Sequence, residues 1–175
     1  MIESYLALGR VAEASSLAAE LVRLDPQNVR VHVALGNVRL REGKLELACA
    51  AFREALARDG ASPLPLVALI SAYSNPPQPD SMIRYAEELL RLDGSNSLGW
   101  NGLGAGRLLE GDYPAAIEAL LRARSLAPDD FSAFSNLLIA YQRSGQLEAA
   151  RQCQADWVRR FPDHPRAAEV ARYRF

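Results

Sequence analysis

Hydrophobic positions recur along this chain every 34 residues. Leucines stand at Leu35, Leu69, Leu103 and Leu137, and a second ladder runs Ala14, Ala48, Met82, Ala116 and Ala150. Two ladders of helix-breaking residues keep the same period. One is Pro26, Gly60, Gly94, Pro128 and Pro162; the other is Gly9, Gly43, Pro77, Gly111 and Gly145. A fixed period of this length with two breakers in each period reads as stacked helical hairpins.

The units follow from the ladders. Four full repeats are expected at 29–62, 63–96, 97–130 and 131–164, with a partial repeat at 1–28 and a capping helix in 165–175. All of them are assigned to a single domain, residues 1–175. The predicted fold is all-α with about eleven helices and no β-sheet. Helices are expected over Met1–Leu8, Val11–Leu24, Val29–Glu42, Leu45–Arg58 and Arg166–Arg174. The shortened first helix reads as an abbreviated start or as the cut edge of a longer array, and the second reading is preferred.

Three units depart from the common pattern. In the second full repeat Ile70 and Met82 occupy columns held elsewhere by Gly and Ala, which predicts a wider or rotated hairpin. Its turn is rebuilt as Asn75-Pro76-Pro77-Gln78-Pro79. The first helix is therefore expected to stop near Ser74, with Asp80 or Ser81 capping the next. That loop reads as a way of joining splayed helices in preference to a partner contact. In the third, Gly99, Gly102, Gly104 and Gly106 share one helix, each costing roughly 0.5–1 kcal/mol relative to alanine. Gly102 admits two readings, a ligand backbone pressed against it or a bulky neighbour filling the space. In the last, Trp157 stands where earlier repeats have Ala55, Leu89 and Ala123 and is expected to cover the terminal core, while Tyr173 and Phe175 leave aromatic surface at the end.

The residues that carry the repeat resemble the tetratricopeptide repeat family. The match runs through Trp100, Leu103, Gly104, Ala116, Ala123 and Pro128 in the third full repeat. It continues through Leu35, Gly36, Ala48, Phe52 and Ala55 in the first, and Leu137, Tyr141, Ala150 and Pro162 in the last. The resemblance implies a right-handed superhelix in which Gly36 faces Ala48. It also implies a concave groove, lined by the first helix of each repeat, that holds an extended peptide or a partner helix. Carried over by column, the groove comprises Arg30, Val33, Asn37 and Arg41, then Leu64, Val67, Ser71 and Asn75. Leu98, Asn101, Gly102, Ala105 and Leu108 follow, and then Ser132, Ser135, Asn136, Ile139 and Arg143. The interleaved asparagines offer both donors and acceptors to a peptide backbone. The family's clamp for a terminal carboxylate looks absent, because only Asn37 fits its columns.

Composition narrows the function classes. A formal net charge of −1 argues against a general polyanion binder, so no nucleic-acid partner is expected. Lys44 is the only lysine among 20 basic residues, which suggests a GC-rich, bacterial genome. Cys49 and Cys153 are expected to be free, partly buried thiols, which leans toward the cytoplasm, with the periplasm as the alternative for an excised domain. No apolar run approaches membrane-spanning length. Neither cysteine has a nearby histidine or a CxxC partner. His32 reads as a packed core residue and His164 as a solvated one. Gly102-x-Gly104-x-Gly106 lies inside a helix and so lacks the context of a phosphate loop. No enzyme, cofactor or metal is expected.

The chain thus reads as a scaffold or adaptor for a protein or peptide, within an assembly such as envelope, secretion or pilus machinery. Two rivals are a structural role, as a spacer or as an array that self-assembles through its ends, and an accessory domain of a larger enzyme.

Overall fold

The computed structural model describes residues Met1–Tyr173. Arg174, at the end of the expected last helix, and Phe175 lie outside the described residues. Among the described residues all regular structure is helical. The helices are α1 (Ile2–Ala7), α2 (Val11–Leu24), α3 (Val29–Arg41), α4 (Leu45–Arg58), α5 (Pro63–Ala72), α6 (Pro79–Leu92), α7 (Ser97–Glu110), α8 (Tyr113–Leu126), α9 (Phe131–Arg143), α10 (Leu147–Arg160) and α11 (Ala167–Val170). They form two compact units, Met1–Leu92 and Asp93–Phe175.

Each hairpin closes with the same backbone bond. The N–H at the end of the turn donates to the carbonyl five residues back: Arg10 to Tyr5 (2.8 Å), Lys44 to Arg39 (2.9 Å), Gln78 to Tyr73 (2.8 Å), Asp112 to Arg107 (3.0 Å) and Gln146 to Tyr141 (2.9 Å). This is the 6→1 bond that satisfies an orphan carbonyl at a helix C-terminus. Gly9, Gly43, Gly111 and Gly145 supply it with φ between 71° and 84°, a region where a Cβ is strained. At the third turn Pro77 stands in the glycine column, yet the proline-rich loop keeps the closing bond. Here α5 ends at Ala72, two residues before the expected Ser74. α6 begins at Pro79, so Asp80 and Ser81 lie in its first turn and do not precede it as caps. Proline at the first helical position loses no bond that the helix would have made.

In the first unit, α2 packs on α1 and α3, and α4 packs on α3 and α5. Of the first helices, α3 also touches both α1 and α5, whereas the second helices α2, α4 and α6 do not touch one another among the described residues. Side-by-side first helices with splayed second helices make the first-helix layer the inner one. The core of the first hairpins buries Ile2, Leu6, Ala14, Ala18 and Val38. The nearest side chain to Gly36 is Phe52, which was not anticipated: a Cβ at Gly36 would stand 2.5 Å from Phe52 Cδ1. Phe52 itself is fully buried.

In the second unit α7 pairs with α8 and touches α9, and α8 and α10 flank α9. Gly104 repeats the close approach, since its Cβ would lie 2.5 Å from Leu120 Cγ and 3.2 Å from the Ala116 carbonyl. Trp157 closes the last hairpin, 2% exposed, stacked on Phe134 at 4.8 Å and edge-on to Phe131 at 5.6 Å. His164 is not solvated as expected. It stacks on Phe131 at 5.7 Å and meets Trp157 at 4.8 Å, while its Nδ1 accepts the Arg166 N–H at 3.2 Å. α11 is one turn, shorter than the expected Arg166–Arg174, because Gln154 Nε2 of α10 takes the carbonyls of Val170 (2.5 Å) and Tyr173 (3.2 Å).

Candidate functional site

The inner layer is positioned by caps at the starts of the first helices. Asn28 Oδ1 accepts the Arg30 N–H at 3.1 Å, Asn96 Oδ1 the Gly99 N–H at 3.1 Å, and Asp130 Oδ1 the Ser132 N–H at 2.9 Å. Each satisfies one orphan donor of its helix. A second device ties helix to turn. His32 Nε2–H donates to the Pro26 carbonyl at 2.9 Å, and Trp100 Nε1–H donates to the Gly94 carbonyl at 2.9 Å, at the same two columns of their repeats. His32 is 5% exposed, the packed histidine that its column predicts. Its carbonyl partner only accepts, so the Nε2 proton is fixed by geometry. These anchors tie the starts of α3 and α7, and with them their inner faces, to the preceding turns.

The first unit brings Arg30, Val33, Asn37 and Arg41 of α3 beside Leu64, Val67 and Ser71 of α5. Arg30, Arg41, Leu64 and Ser71 are exposed, and Val33, Asn37 and Val67 are half-buried. Asn75 stands exposed in the proline loop beyond α5. Asn37 is not idle: its Nδ2 donates to Glu3 Oε1 of α1 at 3.3 Å. Arg30 and Leu64 also line an open cavity of about 660 Å³ between the starts of α3 and α5.

The second unit brings Leu98, Asn101, Ala105 and Leu108 of α7 beside Ser132, Ser135, Asn136, Ile139 and Arg143 of α9. Leu98, Ser132, Ile139 and Arg143 are exposed; Asn101, Ala105, Ser135 and Asn136 are half-buried. Leu108 packs partly against the terminal core. Gly102 is buried. At the centre, Asn136 Nδ2 donates to Asn101 Oδ1 at 3.0 Å. The pair uses one donor and one acceptor, which leaves the Asn101 amide N–H groups and the Asn136 carbonyl oxygen as a matched donor–acceptor set. This pairing was not anticipated from the sequence. Its signal is a spacing of one repeat plus one residue, which places the two asparagines diagonally across adjacent first helices.

Elsewhere the polar groups are structural. Tyr73 and Tyr85 stack at 5.8 Å, and their hydroxyls accept from Arg53 at 3.2 Å and Arg84 at 2.7 Å. Burial, then the neighbouring Cys49, pushes the Tyr73 phenol up. Cys49 and Cys153 are both free and buried. Burial likewise raises the Cys153 thiol, although Arg124 Nη1 donates to its sulfur at 3.2 Å. A thiol held in its neutral form is a poor nucleophile. Among the described residues no group of three His, Cys, Asp or Glu side chains is arranged to hold a metal, and no helix is long and apolar enough to cross a membrane.

Sequence profiles of the tetratricopeptide repeat match residues 1–63 and 107–172, which together are most of the chain. The chain belongs to the tetratricopeptide repeat family, an α-α solenoid fold of helical hairpins that supports protein-interaction scaffolds. Cellulose synthase operon protein C of Pseudomonas fluorescens (strain SBW25) is 30% identical over 167 residues, covering 91% of this chain. The chain spans only 13% of that relative's length. Among solved structures, MamA superposes with a TM-score of 0.78 at 19% identity, covering 99% of this chain and 98% of MamA. PilF of Pseudomonas aeruginosa gives 0.78 at 19% identity over 97% of this chain and 85% of its own. YrrB, described as a tetratricopeptide repeat protein with an unusual peptide-binding site, gives 0.72 at 17% identity over 98% of this chain and 89% of its own. At these identities the structures speak for the fold.

Proposed function

We propose that this chain is a non-catalytic protein-binding module that takes an extended peptide or a partner helix on its first-helix faces. The observation that carries the reading is the Asn101–Asn136 pair at 3.0 Å, set between exposed Leu98 and Ile139. An extended peptide alternates apolar side chains with backbone N–H and C=O groups. The asparagine pair matches the backbone groups without reading sequence, and the flanking Leu98 and Ile139 take the side chains. The raised Cys153 thiol and the structural roles of His32 and His164 support a binding role over a catalytic one.

An assembly in a bacterial envelope, secretion or pilus system is the setting we infer. It is supported by the arginine-biased composition and by the likeness to a segment of cellulose synthase operon protein C. In that setting the chain would be one stretch of a longer repeat array that holds another component in place.

The test is selection of a phage-displayed random peptide library on the wild type and on the double variant Val67→Arg/Asn101→Arg. Both positions are half-buried on the first-helix faces, one in each unit. Peptides retained by the wild type and lost by the variant, at equal helix content by circular dichroism, are expected. Retention of the same peptides by the double variant overturns the reading.

A further inference from the structure

The first-helix face of the first unit carries two unpaired arginines. Arg30 and Arg41 lie at opposite ends of α3, and both are exposed. Among the described residues neither guanidinium makes an ion pair or a side-chain hydrogen bond, although most other arginines of this unit do, as Arg10, Arg39 and Arg58 show. Two carboxylates of this unit, Glu3 and Asp59, bond other groups and pair with neither arginine. Glu3 accepts from Asn37 at 3.3 Å, and Asp59 Oδ1 accepts the Ala61 N–H at 3.0 Å in its turn. Between the arginines run Val33, Val67 and the 44% exposed Leu64.

We infer that this face takes an acidic segment whose carboxylates meet Arg30 and Arg41 and whose intervening apolar side chains cover Val33, Leu64 and Val67. This rests on the groove reading above and names the chemistry of its ligand. Eleven residues of helix at 1.5 Å each separate the two arginines by about 16 Å. In an extended ligand that distance is spanned by about five residues. A small anion would satisfy one guanidinium and leave the apolar row in water. A basic or neutral peptide would leave both guanidiniums unmatched. Exposed pairs of this kind contribute little each, but opposed charge sets which partner is accepted and how fast it arrives.

The experiment is a 16-residue random phage library selected in parallel on the wild type, on Arg30→Glu/Arg41→Glu, and on the Val67→Arg/Asn101→Arg variant. Wild-type peptides are expected to be richer in Asp and Glu than the input, and those of the charge-reversed protein richer in Lys and Arg. A synthetic wild-type peptide should bind Arg30→Gln/Arg41→Gln roughly 3- to 30-fold more weakly. Its Asp→Asn, Glu→Gln version should lose a similar factor on the wild type. Both losses should shrink as salt is raised. Peptides at the input acid content, or acid-rich peptides bound equally by the charge-reversed protein, overturn the proposal. If such neutral peptides still depend on Val67 and Asn101, the groove reading stands and only the acidic ligand falls. If no library peptide binds any of the proteins, both fall together.

Discussion

Two neighbouring hairpins of the first unit solve one packing problem in opposite ways. In α3–α4 the first helix gives up its side chain at Gly36, and Phe52 of the second helix fills the space. In α5–α6 the register puts Ile70 at the glycine column and Ala86 at the phenylalanine column, both buried. Volume has moved from the second helix to the first. The α3–α4 pair lies close over more of its length than the α5–α6 pair, and α5 is shorter, with 10 residues against 13 in α3. The second unit repeats the glycine solution as Gly104 against Leu120. In these three hairpins one member of the column pair is large and the other small, and either helix can supply the large one, as close packing allows.

The sharpest way to break this comparison is to move the volume by hand. Phe52→Ala should destabilise by about 3–5 kcal/mol through the cavity it leaves, and Gly36→Ile by at least about 3 kcal/mol through overpacking. The double variant Gly36→Ile/Phe52→Ala, which copies α5–α6, should be more stable than either single variant. Urea unfolding that gave the plain sum of the two losses would refute the exchange. Next, Gly36→Ala and Gly104→Ala should each cost about 1–3 kcal/mol, because Phe52 and Leu120 are fully buried and cannot swing aside. The helix-propensity gain of up to about 1 kcal/mol offsets only part of that. A rise in melting temperature for either would contradict the close approach.

A smaller effect separates the turns. Gly43→Ala should cost about 1 kcal/mol, since φ is 75° there. The smallest concerns Glu42 beside that turn. Arg39 at 2.8 Å, and then Lys44 at 3.0 Å, hold its carboxyl at about 2. A folded-state value below the unfolded one adds stability that is present above about pH 4.5 and is lost as pH falls toward 2. The stability gap between wild type and Glu42→Gln should therefore be under about 1 kcal/mol at pH 7 and close over that acid range. A gap that grew on acidification would contradict the ion pairs.

Most of the helix boundaries were legible because the 34-residue ladders place a breaker at each turn, and α2 and α4 fall where those breakers put them. The exception teaches why. Around Pro76 and Pro77 a rule about the residue before proline set the boundaries too late, because Pro79 opens α6 where Asp80 and Ser81 looked like better caps. Ladders also report columns and not directions, so the close approach of Phe52 to Gly36, one helical turn beyond Ala48, was not anticipated. The same limit applied to the inner face. The columns named its residues, but the Asn37–Glu3 and Asn101–Asn136 bonds depend on how adjacent first helices lie side by side. His164 was read as solvated because it stands between prolines, whereas Trp157 of the preceding helix and Phe131, 33 residues back, close on it.

The central claim is that partners are held on the first-helix faces, and backbone NMR reads it most directly. A peptide selected on the wild type would be titrated into labelled protein and its shift changes mapped onto the sequence. The account predicts that the largest changes fall on inner-face residues of the first helices, such as Val33, Asn37 and Val67 or Asn101, Asn136 and Ile139. Changes concentrated instead on α2, α4, α8 or α10, or on the proline loop, would contradict it.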